Sequence, residues 1–162
     1  MRIKLLILFL LVNYYGFSQT DNLKTIQYIE IYQNFINTSG SLNNKLNYSL
    51  EYGIQYDVFS VGINLGRSSI FTENREKMLF YYEVKTNLNV FQQGKFTNTV
   101  TIGIGDLMSS DINLLTEVSS GMEYSYSDKI HFNINFGQYF YSGNINSFNV
   151  TFLGISSTYY IK

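Results

Sequence analysis

The chain of 162 residues contains no cysteine and no proline. Without cysteine there is no disulfide framework, no thiolate nucleophile and no acylated cysteine to anchor a lipoprotein. Proline removes a backbone donor from a β-ladder, so a chain without proline suits a protein in which nearly every residue belongs to a strand. The two absences exclude a disulfide scaffold and favour extended structure.

Charged residues are also scarce. They make up 14% of the chain, whereas an ordinary soluble domain has about 25%. The net charge is −1 and no basic stripe is present, which excludes nucleic acid as a partner. One histidine without cysteine does not supply a metal site, and no dinucleotide, Walker-type or EF-hand motif occurs. We therefore expect no metal and no cofactor.

The first residues have the pattern of a secretory signal peptide. Arg2 and Lys4 precede an apolar run over 5–12, and Gly16 and Ser18 are small residues before a cleavage site ahead of Gln19. The run is far shorter than the roughly 20 residues of a spanning helix. The expected organisation is a cleaved signal peptide over 1–18, a short periplasmic segment over 19–25 and one domain over 26–162. Cleavage leaves nine of the 11 basic residues against 12 acidic ones.

The dominant pattern in the sequence is an alternation of apolar and polar residues. Between Leu46 and Tyr56 every even position is Leu, Tyr or Ile, whereas the odd positions carry Asn, Ser, Glu, Gly and Gln. A period of two puts all the apolar side chains on one face of a strand. The apolar parity then changes across Asp57 and Val58, so that Phe59 to Leu65 alternate in the opposite phase. That change predicts a tight hairpin.

The same alternation recurs in further segments and predicts eight strands in total. Clear apolar faces are formed by Phe80, Tyr82, Val84, Leu88 and Val90, by Phe96, Val100, Ile102 and Ile104, by Leu114, Val118, Met122, Tyr124 and Tyr126, and by Ile130, Phe132, Ile134, Phe136 and Phe140. The first strand, over 26–35, places Ile29, Ile31 and Phe35 on its apolar face. The last begins with Phe148, Val150 and Phe152. A parity slip at Gly154, as in a β-bulge, would then let Ile155, Tyr159 and Ile161 continue the face.

The predicted connections alternate in length. Three are short, at 57–58, 92–95 and 127–129, and four are longer and polar, at 38–44, 67–78, 106–111 and 142–147. In an up-and-down meander all the long loops then lie at one end. Transmembrane barrels show this asymmetry, with short periplasmic turns and longer outside loops. Both termini would be periplasmic.

At this level the chain resembles the small eight-stranded outer-membrane barrels of the OmpA-transmembrane and OmpX type, over 26–162. The resemblance implies an all-β, eight-stranded antiparallel up-and-down transmembrane barrel, with a porin-like fold and a filled lumen. One departure is that Ile161 and Lys162, rather than an aromatic residue, end the chain. A soluble lipocalin-like ligand carrier remains the alternative fold. The large aromatic face, the small residues opposite and strands of about ten residues favour the membrane barrel.

The lumen would collect the charged residues of the polar face. We expect a hydrogen-bonded network centred on Lys85, because buried charges need partners. Its candidate members are Glu30, Glu51, Glu83, Lys85, Glu117, Glu123 and His131. The alternative is a narrow cation-preferring path or a proton-sensitive gate, for which eight strands leave little room.

His131 is the only histidine of the chain and therefore the one candidate for an imidazole base. A hydrolase would need a serine beside it and an orienting carboxylate. Outer-membrane lipid A deacylases use a serine two residues after the histidine, and here that position is Asn133. Ser125 and Ser127 cannot be placed beside His131 from the sequence. We therefore expect no enzymatic activity and no catalytic residues, with a lipid-modifying enzyme as the alternative.

The predicted loop over 67–78 concentrates charge. Arg67, Arg75 and Lys77 are candidates for contact with lipopolysaccharide phosphates, and a solvated loop of mixed sign is the alternative. The expected partners are membrane lipid and lipopolysaccharide, with other outer-membrane proteins in a complex as a further candidate. The expected function is that of a non-catalytic structural, adhesive or complex-forming barrel in the outer membrane of a Gram-negative cell.

Overall fold

The structure is a computed structural model that describes residues 25–37, 42–72, 75–108, 112–143 and 147–161. The predicted signal peptide over 1–18 and most of the segment over 19–25 lie outside these residues. Eight strands follow one another: β1 (Thr25–Asn37), β2 (Leu42–Tyr56), β3 (Phe59–Thr72), β4 (Arg75–Gln93), β5 (Phe96–Leu107), β6 (Ile112–Ser125), β7 (Ile130–Gly143) and β8 (Ser147–Ile161). Within the described ranges, no helix is long and apolar enough to cross a membrane.

Each strand pairs antiparallel with its neighbours in sequence, and β1 pairs with β8 to close a barrel. The closing ladder is continuous from the pair Gln27 and Ile161 to the pair Asn37 and Thr151. A closed sheet has no edge, so its ladder groups find partners inside the sheet. The two least regular strands of the sequence therefore form the seam of the barrel without interruption.

The apolar faces point outward, as the alternation predicts. Phe136 is 61% exposed and Ile31 is 59% exposed, whereas the neighbouring Asn135 and Glu30 are buried. The outer apolar residues come from all eight strands, and they include Ile31, Leu50, Ile63, Phe80, Ile102, Val118, Ile134 and Ile155. The polar face lines the lumen. This arrangement contradicts a lipocalin-like barrel, in which the apolar face would point inward.

The predicted parity slip at Gly154 is wrong. The ladders of β8 with β1 and with β7 both run through Gly154 without a register shift. Val150 and Phe152 consequently point into the lumen and are buried, while Leu153 faces outward. A slip is needed only if every large apolar side chain of β8 faces outward. At this end of the barrel apolar side chains fill the lumen as well.

The four connections predicted to be long are shorter than expected, because the strands extend into them. The largest difference is at 67–78, where Arg67 to Thr72 continue β3 and pair with Arg75 to Phe80 of β4. Only 73–74 connect the two strands. The polar composition of this segment by itself predicts a loop. A hairpin that pairs its own backbone groups does not need apolar side chains.

The three connections at the opposite end are tight. Asp57 begins one turn with φ 43° and Gly94 lies in the next with φ 61°, and both angles belong to the left-handed region that Asp and Gly tolerate. We call the end with 57–58, 94–95 and 126–129 the turn end, and the opposite end the loop end. Thr25 and Ile161, the outermost described residues of the chain, both lie at the turn end.

The lumen is filled in layers. At the loop end an apolar and aromatic cluster is buried, made of Tyr81, Leu107, Leu115, Tyr139, Tyr141, Val150 and Phe152. Phe152 is 1% exposed and stacks on Tyr139 with ring centroids 4.4 Å apart. Below it lies a layer of carboxylates and one lysine, and at the turn end the lining is polar and partly open. The filled lumen is the one predicted, but its apolar layer was not predicted.

Replacing Phe152 with alanine tests the corrected register. We expect the variant to lose about 3–5 kcal/mol of unfolding free energy, because the packed lumen would keep a cavity. The outward-facing Phe136 is the matched control, and its alanine variant should lose roughly 1.5–3 kcal/mol because lipid tails refill the space. Urea unfolding in phospholipid vesicles measures both. Equal losses would contradict the inward position of Phe152.

Candidate functional site in the barrel lumen

The polar residues that the alternation places inside the barrel meet halfway along the lumen. The Lys85 Nζ lies 2.9 Å from the Glu117 Oε2 and 3.2 Å from the Glu83 Oε1, and all three side chains are at most 1% exposed. The Ser119 hydroxyl donates to the other Glu117 oxygen at 2.9 Å, and the Asn64 amide donates to Glu83 at 3.2 Å. Lys85 is thus the centre of a network that crosses the barrel from β3 to β6.

Tyrosine hydroxyls extend this network to β1 and β2. Tyr28 donates to one oxygen of Glu51 at 2.5 Å and Tyr32 donates to the other at 3.0 Å. The Lys85 ammonium also lies 4.2 Å from the centre of the Tyr32 ring, a cation–π contact. Glycine makes room for the cluster, since a Cβ on Gly62 would overlap the Glu51 carboxylate.

Acidic side chains outnumber basic ones among the buried residues of the lumen. Four carboxyl groups are buried in it, those of Glu30, Glu51, Glu83 and Glu117, and the only buried lysine or arginine side chain among the described residues is that of Lys85. Glu30 and Glu51 stand directly opposite each other on β1 and β2, an arrangement that is unfavourable for like charges. The carboxamide oxygens of Asn34, Asn64, Asn133 and Asn135 accept no hydrogen bond from another described residue. The interior therefore favours protons, cations or other donors.

The turn end holds the remaining two candidates. The His131 Nδ1 lies 2.8 Å from the Glu123 Oε1, and the His131 ring packs edge-on against Tyr160 at 4.7 Å. Both members of the pair are about 15% exposed. The structure thus brings Glu123 and His131 together with each other, but not with Lys85.

A hydrolase needs a serine hydroxyl on this histidine as well. Ser125 stands opposite His131 in the ladder between β6 and β7, a position that the sequence did not indicate. Among the described residues the ring of His131 has a hydrogen-bond partner only in Glu123. A histidine and a carboxylate are therefore in contact, as they are in a catalytic trio, but Ser125 is not hydrogen-bonded to the histidine.

The lipopolysaccharide candidates lie on the β3–β4 hairpin at the loop end. Arg67 is exposed, and its guanidinium lies 5.2 Å from the Phe80 ring. Arg75 and Lys77 belong to β4, but their side chains lie outside the described residues. Arg67 therefore presents a cation on the outer surface beside an aromatic ring.

The luminal tyrosines are the functional residues that the sequence analysis missed. Tyr28, Tyr32, Tyr139 and Tyr141 are all buried in the lumen, whereas the sequence analysis predicts tyrosine for the outer face. The signal was present in β1, because Tyr28 and Tyr32 share the parity of Glu30. A tyrosine two residues from an inward glutamate points to the same side of its strand.

No protein-family model matches the sequence, and no curated protein matches it at a significant level. Solved structures do match. The N-terminal β-barrel domain of Pseudomonas aeruginosa OprF superposes with a TM-score of 0.62 and 10% identity, over 86% of this chain and 100% of that one. For Neisserial surface protein A the TM-score is 0.59 at 10% identity, over 83% and 96%. For the Yersinia pestis outer membrane protein Ail in a phospholipid nanodisc it is 0.54 at 10% identity, over 85% and 100%.

Identities this low show the fold alone. The chain has the fold of the eight-stranded transmembrane β-barrels, which confirms the predicted fold class and the resemblance stated above. The luminal residues and their chemistry are not carried by these likenesses and depend on the geometry of this chain.

Replacing Lys85 with methionine tests the central network. We expect the single variant to lose about 3–5 kcal/mol of unfolding free energy, because Glu83 and Glu117 would remain buried without their cation. Adding Glu83→Gln and Glu117→Gln to the same chain should restore much of the loss, because the unpaired charges are then gone. Urea unfolding in vesicles measures the wild-type chain, the single variant and the variant with all three substitutions. If Lys85→Met left the unfolding free energy unchanged, the network would not hold charged carboxylates.

Proposed function

We propose that this chain is an integral β-barrel of the outer membrane of a Gram-negative cell, with a structural, adhesive or complex-forming role and no catalytic activity. The observation that carries the proposal is an apolar outer surface on a closed barrel whose lumen is polar and filled. Such a surface is stable in hydrocarbon, where a closed sheet is also the only sheet that satisfies its backbone. In water the same surface would be an apolar patch far larger than soluble monomers tolerate.

The ends of the outer surface support this location. At the turn end Tyr126 is 63% exposed, and Phe96 packs against Tyr124 with ring centroids 5.2 Å apart. The Lys95 ammonium lies 6.0 Å from the same Tyr124 ring. Aromatic rings with nearby cations are typical of the headgroup level of a membrane. With the turn end in the periplasm, both ends of the barrel chain face that side.

The filled lumen supports a role that depends on surfaces rather than on transport. The apolar cluster at the loop end and the Lys85 network follow each other along the axis, so a permeating ion would meet both. Arg67 at the loop end is the described residue best placed to contact lipopolysaccharide phosphates through charge-assisted bonds. The solved structures that share this fold include an outer-membrane protein, and this supports the same compartment here.

A charge placed on the outer surface tests the membrane location. Ile102 lies in the middle of β5 and is 54% exposed. Arginine at this position should cost about 2–4 kcal/mol of folding free energy in a bilayer, because it would lie near the midplane. The measurement is urea unfolding in vesicles, with folding followed by heat-modifiable migration on gels.

Met108, just beyond the end of β5, provides the control for that variant. It is also exposed, but arginine there should cost about 0–1 kcal/mol because it would lie near the interface. Equal effects at the two positions, or recovery of the wild-type chain as a soluble periplasmic monomer, would rule out a membrane barrel.

Replacing His131 with asparagine separates the proposed role from that of a lipid-modifying enzyme. We expect the lipid A species of cells that express the variant to be identical to those of cells with the wild-type chain, because no serine hydroxyl in the described part of the chain is hydrogen-bonded to His131. Mass spectrometry of extracted lipid A measures this, with heat-modifiable migration as the check that the variant folds. A lipid species that disappears with His131 would establish an enzyme.

A further inference from the structure

Two carboxyl groups face each other inside the lumen. Glu30 of β1 and Glu51 of β2 are partners in the ladder between these strands, and both side chains are buried. With every group ionised, the buried lumen of the described strands would hold four carboxylates and one ammonium group, that of Lys85. Like charges on facing buried residues are unfavourable, so we expect one carboxyl group of the pair to hold a proton.

The hydrogen bonds of the pair indicate that Glu30 holds this proton. Glu51 accepts hydrogen bonds from the hydroxyls of Tyr28 and Tyr32, one at each carboxylate oxygen, at 2.5 and 3.0 Å. Two such donors stabilise the ionised form of a carboxyl group. Glu30 is hydrogen-bonded to the Ser156 hydroxyl at 2.5 Å. A hydroxyl can accept a hydrogen bond from a carboxylic acid as well as donate one to a carboxylate, so this contact suits the protonated form.

Glu30 is also the member of the pair that water can reach. It lines a narrow recess at the turn end together with Glu123, which is partly exposed. The recess has a polar lining and room for about one or two water molecules, which can carry a proton between the solvent and Glu30. At the loop end the lumen is filled by the apolar and aromatic cluster that contains Phe152. The turn end is therefore the open side for proton exchange.

The groups around Glu30 supply no separate cation for its ionised form. The side chains that share the recess with it include Ser60 from β3, Thr99 from β5, Glu123 from β6 and Tyr160 from β8. Among the described residues, the basic side chains of the lumen are Lys85 on β4 and His131 on β7, and they form their ion pairs with Glu83, Glu117 and Glu123. Ionised Glu30 would thus add a negative charge beside Glu51 and Glu123.

We propose that Glu30 is a proton-binding site of the folded barrel, occupied at neutral pH and in exchange with the solvent at the turn end. A glutamate of the unfolded chain is ionised at neutral pH, so the folded state binds one proton more than the unfolded state. The free energy of unfolding then falls as the pH rises, and the stability of the barrel follows the pH at its turn end. The inference depends on the lumen alone and not on the proposed function.

Infrared spectroscopy of the folded barrel in vesicles at neutral pH tests the occupancy. A protonated carboxyl group has a C=O band separate from those of carboxylates, and we expect Glu30→Gln to remove the intensity of one such group. Glu123→Gln is the matched control, because it changes a carboxylate of the same recess that is paired with His131. It should leave the band at full intensity.

Urea unfolding over a series of pH values tests the linkage. The pKa of glutamate in an unfolded chain is about 4.3. Above this pH the unfolding constant of the wild-type chain should rise with pH by up to about tenfold more per unit than that of Glu30→Gln, because only the wild-type chain releases the additional proton on unfolding.

Transfer of the vesicles into D₂O tests the side of access, because the band shifts when the carboxyl proton is exchanged. Asn133→Phe, which would fill the recess from its lining, should slow the shift. Phe152→Ala at the loop end should leave its rate unchanged. A faster shift in Phe152→Ala would contradict exchange through the turn end.

A band that Glu30→Gln leaves at full intensity would overturn the proposal, and so would the same pH dependence of unfolding in both chains. If Glu30→Gln does not fold, as judged by heat-modifiable migration, Ser156→Ala decides. The C=O frequency depends on the hydrogen bonds of the carboxyl group, so loss of the Ser156 hydroxyl should shift the band of Glu30. An unshifted band would refute the assignment.

Discussion

The constraint on which this structure depends is that the backbone of a strand in hydrocarbon has no water to bond with. Every N–H and C=O must then find a partner in a neighbouring strand, so the sheet has to close. The unbroken ladder between β1 and β8 meets this requirement. A chain without proline can supply a donor at every position of such a ladder. Closure in turn creates a lumen too narrow for bulk water. The inward polar side chains must therefore find their hydrogen-bond and ion-pair partners among themselves.

Inside the lumen the constraint becomes one of charge. Lys85 is shared by Glu83 and Glu117, whereas Glu51 is held by two tyrosine hydroxyls and Glu30 by a serine. Buried carboxylates supported by neutral donors keep an unsatisfied preference for positive charge. The excess of carboxyl groups over basic side chains is therefore a property of the interior as a whole.

The two ends of the barrel are built differently. At the loop end Phe152, Tyr139 and their neighbours fill the lumen with apolar and aromatic groups. At the turn end the lining is polar and partly open, and it includes Glu123 and Thr158. The Lys85 network lies between the two ends.

The sequence by itself determined the number of strands, the outer face and the side of the sheet on which the luminal glutamates and Lys85 lie. The reason is that a period of two assigns each side chain to one of two sides without reference to any partner. The prediction from alternation failed where one face of a strand carries both apolar and polar side chains, or where a polar segment forms a strand. Phe152 is apolar and inward, Tyr28 is aromatic and inward, and 67–78 is polar and still a hairpin. Only the tertiary structure decided which luminal groups meet. The pairing of Lys85 with Glu117, the contact of His131 with Glu123 and that of Glu30 with Ser156 follow from the register between strands, and many registers satisfy the same alternation.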